Sequence, residues 1–216
     1  MFERGQDSVY RSSLLQSEHW LDHGFASRNA PDWPGSYFQL RQIHSSTVVP
    51  SSWLDEESPS ADGVVSNDEG LWLGIRTADC VPMLLADPVH RCVAAIHAGW
   101  KGTSAGIAMN GVHEMSTRWH SRPEDLVVAI GPSIGQCCFE VGSEVEQLFE
   151  RQFPEATGRG KVDLAEANRR QLMSCGVLAN RIDVAVECTK CMGDQFHSWR
   201  RDAGTSGRMV SAIRIR

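Results

Sequence analysis

Two short apolar runs, VPMLL at 81–85 and CVAAI at 92–96, stand only six residues apart. Continuous apolar runs of this length, with no polar alternation, read as strands buried on both faces. They need a large core around them. Their ends are unusual. Cys80 opens the first run, His97 closes the second, and a glycine-rich turn, AGWKGT, follows at once. Side chains able to do chemistry are thus placed where rigid buried segments meet turns, which is where a fold offers them to a cleft.

The rest of the chain supplies the core these strands require. At 216 residues it suits one domain over 1–216. No linker, internal repeat or low-complexity tract divides it, and a chain of this size builds a core without disulfide staples. Hydrophobic residues at 41% and charged residues at 22% are ordinary for a globular protein. A net charge of −6 argues against nucleic acid or an anionic membrane as the main partner. No apolar run approaches the ~20 residues of a bilayer span. MFERGQDSVYRSSLL lacks the apolar stretch of a secretion signal, so a cytoplasmic location is expected. Seven cysteines in a reducing compartment are expected as free thiols or metal ligands.

Residues 1–36 are polar and mixed, with GFASRNA starting a strand. YFQLRQIHSSTVVP reads as a strand pair, or a strand with a turn, at His44–Ser46, and 51–63 as an acidic, Ser-rich loop. A hairpin is expected around Asn67–Gly70. A helix is expected over 102–119, with Ile107, Val112, Met115 and Trp119 on one face. DLVVAI is a buried strand. SEVEQLFERQF is a helix with a Ser143/Glu146 capping box, and VDLAEANRRQLMSCGV a helix capped by Asp163 and ended by Gly176. IDVAVECTKC and MVSAIRIR are strands. This order predicts an α+β or mixed α/β fold with a large central sheet and outer helices.

His44, Cys80 and His97 form a candidate metal triad. One thiolate and two imidazoles leave a tetrahedral Zn²⁺ with one open position, the pattern of a catalytic site, and a thiolate favours zinc or copper(I) over magnesium. Taken alone, each reads more readily as a hydrogen-bonded structural histidine or a buried small hydrophobe. Cys188 and Cys191 form a CxxC without a second CxxC to complete four ligands. Cys137 and Cys138 are adjacent, and on a strand their side chains point apart. Both pairs are therefore expected to be ordinary thiols. Arg200, Arg201 and Arg208 lie in a loop suited to phosphate or carboxylate. GPSIG fits G-x-S-x-G, but QCCFEVG after it does not read as the helix a nucleophile elbow needs.

Taken together, LRQIHSS, ADGVVS, GIRTADCVPMLLAD, VAAIHAGWKGT, AIGPSIGQCCFEVG, VDLAEANRRQL, ECTKC and FHSWRRDAGTSGRM resemble the YfiH family, whose members are described as laccase-like or polyphenol oxidases. The resemblance runs from about residue 20 to the end. It implies an α/β/β/α layering of mixed sheets and outer helices, and a zinc site at His44, Cys80 and His97. It also implies a purine nucleoside phosphorylase acting on adenosine, inosine and methylthioadenosine, with adenosine deaminase activity; a monomer or homodimer is expected. On that reading Arg41, Arg76 or Arg201 would hold phosphate, and Trp100 or Phe139 would stack on the base. The alternative from the same family is a peptidoglycan editing factor that hydrolyses UDP-MurNAc–L-serine. A copper-dependent polyphenol oxidase ranks lower, because eight histidines without one HxH pair do not supply a multicopper centre. Three positions depart from the family pattern: Ser45 for Gly, Lys101 for Arg and Trp199 for Tyr.

Overall fold

The computed structural model of the chain describes residues 1–53 and 58–216, so residues 54–57 of the expected acidic loop lie outside the described residues. In chain order the elements are β1 (Phe2–Arg4), β2 (Val9–Ser12), α1 (Ser13–Gln16), β3 (Leu21–Ala26), β4 (Phe38–Gln39), β5 (Val48–Pro50), β6 (Gly63–Ser66), β7 (Leu73–Thr77), β8 (Val81–Asp87), β9 (Cys92–Ala98), α2 (Trp100–Ser104), α3 (Ile107–Trp119), β10 (Val127–Ile130), α4 (Ser143–Gln152), β11 (Thr157–Gly158), β12 (Lys161–Val162), α5 (Leu164–Ser174), β13 (Ile182–Val184) and β14 (Met209–Ile215). One six-stranded sheet runs β1-β2-β3-β14-β7-β4 and a second runs β13-β10-β8-β9-β6-β5. Both are mixed, with β4 parallel to β7, β5 to β6 and β10 to β13.

The two apolar runs become β8 and β9, paired antiparallel at the centre of the second sheet. Their lack of polar alternation is explained by what covers each face. Met83, Leu85, Ala94 and Ile96 join the core beneath the helices, while Leu84, Ala86, Val93 and Ala95 join the core between the two sheets. Burying each larger side chain contributes about 1.5–3 kcal/mol. The helix-side core takes Ile107, Val112 and Met115 from α3, Phe149 from α4, and Leu164, Ala167 and Leu172 from α5. On the far side of the first sheet, Tyr37 packs against Gly74, and the Trp33 and Trp72 rings meet edge to face at 5.3 Å. The layered α+β fold of mixed sheets is thus the observed one.

Several local expectations change. Asn67–Gly70 does not close a hairpin: β6 is already paired on both edges, by β5 and β9, so the chain crosses to the first sheet to make β7. The 102–119 helix is two helices, broken at Gly106 with φ +82. The capping box is absent, because Ser143 is already helical and Glu146 Oε1 accepts the Gly160 N–H at 2.6 Å instead. Asp163 does cap α5, accepting the Glu166 N–H at 2.9 Å. The strand expected over IDVAVECTKC is only β13, and the residues after it turn.

Candidate metal centre and substrate cavity

Strand register builds the site. In the β8–β9 pair, Val81 lies opposite Ala98 and Pro82 opposite His97, which brings Cys80 beside the end of β9. In the β6–β9 pair, Gly63 lies opposite Ile96, so Asp62 falls next to His97 and its carbonyl accepts the His97 N–H at 2.7 Å. His44 arrives from the turn between β4 and β5, and its ring meets that of His97 edge to face at 4.9 Å. The candidate ligand atoms of His44, Cys80 and His97 lie within 4.8 Å of one another.

Asp62, which sequence reasoning missed, organises this cluster. It is fully buried, and its Oδ1 accepts the His97 Nδ1–H at 2.8 Å and the His44 N–H at 2.9 Å. Its Oδ2 accepts from the Ser45 N–H at 2.6 Å and the Ser45 hydroxyl at 2.7 Å. The converging backbone donors hold His44 at φ +60, a left-handed conformation uncommon outside glycine. Ser45, a departure from the family pattern, thus adds a donor to the same carboxylate. Because Asp62 fixes the proton on His97 Nδ1, Nε2 is the nitrogen left to face Cys80.

The charges follow. Burial alone would push the Asp62 carboxyl up, but the bonds from His97 and Ser45 hold it at about 2. Burial also opposes ionisation of Cys80, yet His44 and His97 bring the thiol down to about 6, while Asp62 and Cys80 lift His97 to about 9 against its own burial. The carboxylate and the two imidazoles thus favour the ionised sulfur, the form that binds metals or attacks electrophiles.

The turn HAGWKG is explained by contact. A side chain on Gly99 would reach 3.0 Å from His44 Cδ2 and 3.2 Å from Cys80 Sγ, and one on Gly102 would reach 2.7 Å from the Ser45 carbonyl oxygen. Two of the candidate ligands pack against bare backbone.

The triad opens on a cavity of about 680 Å³. Arg41, Arg76, Trp100 and Phe139 line it. Arg201 does not. Its guanidinium donates to Asp202 and to the carbonyls of Thr189 and Phe196, tying the late loop together. Arg200 and Arg208 face the cavity instead, Arg200 lying 5.3 Å over the Phe139 ring and Arg208 5.0 Å over Trp199. Asp79, at φ +84, secures that wall: its carboxylate accepts from the Thr189 hydroxyl at 2.6 Å, the Ser198 hydroxyl at 3.1 Å and the Arg200 N–H at 2.7 Å. Asp79 therefore holds loops rather than the histidines. Ser133 is buried in an isolated bridge to Cys188 and is followed by a turn rather than a helix, so no nucleophile elbow forms there.

No helix among the described residues is long and apolar enough to cross a membrane. Residues 27–216 match the family model of multi-copper polyphenol oxidoreductase laccase. The chain is 40% identical over 164 residues to purine nucleoside phosphorylase YlmD of Geobacillus stearothermophilus, covering 72% of this chain and 60% of that protein. It is 38% identical over 172 residues to adenosine deaminase RL5 of an unknown prokaryotic organism, covering 74% of this chain and 65% of that one. The matched stretch thus spans less than two thirds of either relative. Among solved structures, YfiH of Bacillus licheniformis superposes with a TM-score of 0.85 at 29% identity, covering 100% of this chain and 99% of that one. YlmD of Geobacillus stearothermophilus does so with a TM-score of 0.85 at 28% identity, with the same coverage. By sequence motif, family model and fold alike, this chain belongs to the YfiH-type multi-copper polyphenol oxidoreductase laccase family.

Proposed function

We propose that the chain is a zinc-dependent purine nucleoside phosphorylase acting on adenosine, inosine and methylthioadenosine, with adenosine deaminase activity. One observation carries this reading: a thiolate and two imidazoles sit within 4.8 Å of one another at the end of a cavity whose remaining walls are arginine and aromatic. The donor set fits zinc, since one sulfur and two nitrogens complete three corners of a tetrahedron and leave the fourth to substrate or water. When bound, zinc supplies Lewis acidity at that open corner. The metal is read as zinc rather than copper because the second ligand-rich cluster among the described residues holds four cysteines and no histidine, unlike a multicopper oxidase centre.

The chain's own residues do the rest. Arg41, Arg76, Arg200 and Arg208 present guanidinium groups to a phosphate dianion. Gln42 brackets Arg76, accepting its N–H and donating to its carbonyl, both at 2.8 Å, so the backbone carrying that cation is fixed. Trp100, Phe139 and Trp199 offer faces for a purine ring. Asp62 keeps His97 and His44 oriented. In phosphorolysis, a phosphate oxygen forms a bond to the anomeric carbon as the glycosidic C–N bond breaks and the purine leaves with its electron pair. Relatives named for purine nucleoside phosphorylase and for adenosine deaminase support the same chemistry.

The test is to incubate purified protein with adenosine with and without phosphate, and to separate the products. Adenine and ribose 1-phosphate that depend on phosphate, and inosine that does not, are expected. The absence of all three from zinc-loaded protein overturns the reading.

A further inference from the structure

The adjacent cysteines and the CxxC do not behave as separate thiols. QCCF lies in a run of turns, not a strand, so Cys137 and Cys138 do not alternate across a sheet. Cys188 follows directly alongside: Ser133 bridges Cys188 in parallel, and the Thr189 N–H donates to the Ser133 carbonyl at 3.0 Å. Two turns some fifty residues apart in sequence are thereby clamped face to face, and the four sulfurs converge within 4.8 Å of one another. We infer that Cys137, Cys138, Cys188 and Cys191 form a second, four-thiolate zinc site, separate from the cavity triad, that staples the turn leading into the cavity-lining Phe139 to the turn whose Thr189 holds Asp79.

The geometry suits zinc. A ZnS₄ tetrahedron with bonds of ~2.3 Å has sulfurs about 3.8 Å apart. The Cys137–Cys191 and Cys138–Cys191 sulfurs lie 3.8 Å and 3.4 Å apart. The Gly135 N–H donates to Cys188 Sγ at 3.3 Å, the outer-shell bond that a metal-bound thiolate uses to spread its charge. Four thiolates on Zn²⁺ leave a net charge of −2, and two cations lie close by. Lys161 donates to the Cys137 carbonyl at 2.8 Å, and Arg159 lines the same surface hollow as Cys137.

Four protein ligands close the coordination sphere, so this site holds structure rather than substrate. What it holds is specific. Phe139, next to Cys138, lines the cavity, and Thr189, next to Cys188, donates to Asp79. Binding involves no redox step. Each thiol that arrives protonated releases one proton as its S–Zn bond forms.

The test uses full-length Cys80→Ala, kept fully reduced, given zinc in the presence of a competing chelator. We expect one zinc per chain, with an X-ray absorption shell made only of sulfur at ~2.3 Å. Adding Cys188→Ser and Cys191→Ser should lower the retained zinc at least tenfold. A reduced Cys80→Ala chain that takes up no zinc, or one whose metal shell contains nitrogen or oxygen, overturns the inference. The shell is read on Cys80→Ala itself, so the result stands even where the triple variant fails to fold. Loss of activity in Cys80→Ala concerns the cavity triad and leaves this readout untouched.

Discussion

Asp62 Oδ1 lies 2.8 Å from His97 Nδ1, and both side chains are buried. The same carboxylate accepts the backbone N–H groups of His44 and Ser45, so one residue sets the tautomer of one candidate ligand and the loop carrying another. Asp62→Asn keeps the shape but removes the charge. Zinc affinity, measured by chelator competition, should fall about 10- to 100-fold, with activity falling alongside. Unchanged affinity in a folded Asp62→Asn would show that the pair does not support the metal site.

Gly102→Ala should separate α2 from the His44 turn. Its new methyl would stand 2.7 Å from the Ser45 carbonyl oxygen, a backbone atom that cannot rotate away. Overpacking of this kind costs about 1–3 kcal/mol. A lowered denaturant midpoint together with a lowered zinc affinity is expected, and Gly99→Ala should damage zinc binding more than stability.

The arginines divide into two classes. Arg200→Ala should raise KM for phosphate about tenfold with only a small drop in melting temperature, because its head group faces the cavity and gives up a single bond, to the Glu140 carbonyl. Arg201→Ala should act the other way. It frees the carbonyls of Thr189 and Phe196, so the late loop loosens and the melting temperature drops. Steady-state kinetics beside thermal melts of both variants check this.

His23 gives a pH signature in the first sheet. Its Nε2 accepts the Ser12 N–H at 3.0 Å, and burial, with Arg11 nearby, depresses its pKa to about 4. A depressed folded value means the unfolded chain binds the extra proton first, so this contribution is complete above pH 6.5 and is lost as pH falls toward about 4. The loss amounts to roughly 3 kcal/mol by the linkage relation. His23→Gln, which can still accept from Ser12, should be less stable at pH 7 but show a flatter fall between pH 6.5 and 4 in urea titrations.

The parts of this fold legible in sequence were those with long, unbroken patterns. The runs that became β8, β9 and β10, and the capped helix α5, carry their own signal. Their ends carried the reactive residues, so Cys80 and His97 stood out, and the cavity-lining Arg76 and Trp100 lie within a few residues of them. Asp62 stayed hidden because its role comes from the β6–β9 register, a long-range pairing that no local pattern reports. The choice of Arg200 and Arg208 over Arg201 depends on which way three neighbouring loop side chains turn. The cysteine cluster was masked by reading QCCF as a strand; as a turn it brings its thiols to a CxxC some fifty residues away.

Crystals of the zinc-loaded protein, measured on both sides of the zinc absorption edge, test the central claim most directly. The account predicts an anomalous peak in the cavity, within bonding distance of Cys80 Sγ and one ring nitrogen each of His44 and His97. A map with no peak among those three side chains, or with the three turned away from a common point, would contradict it.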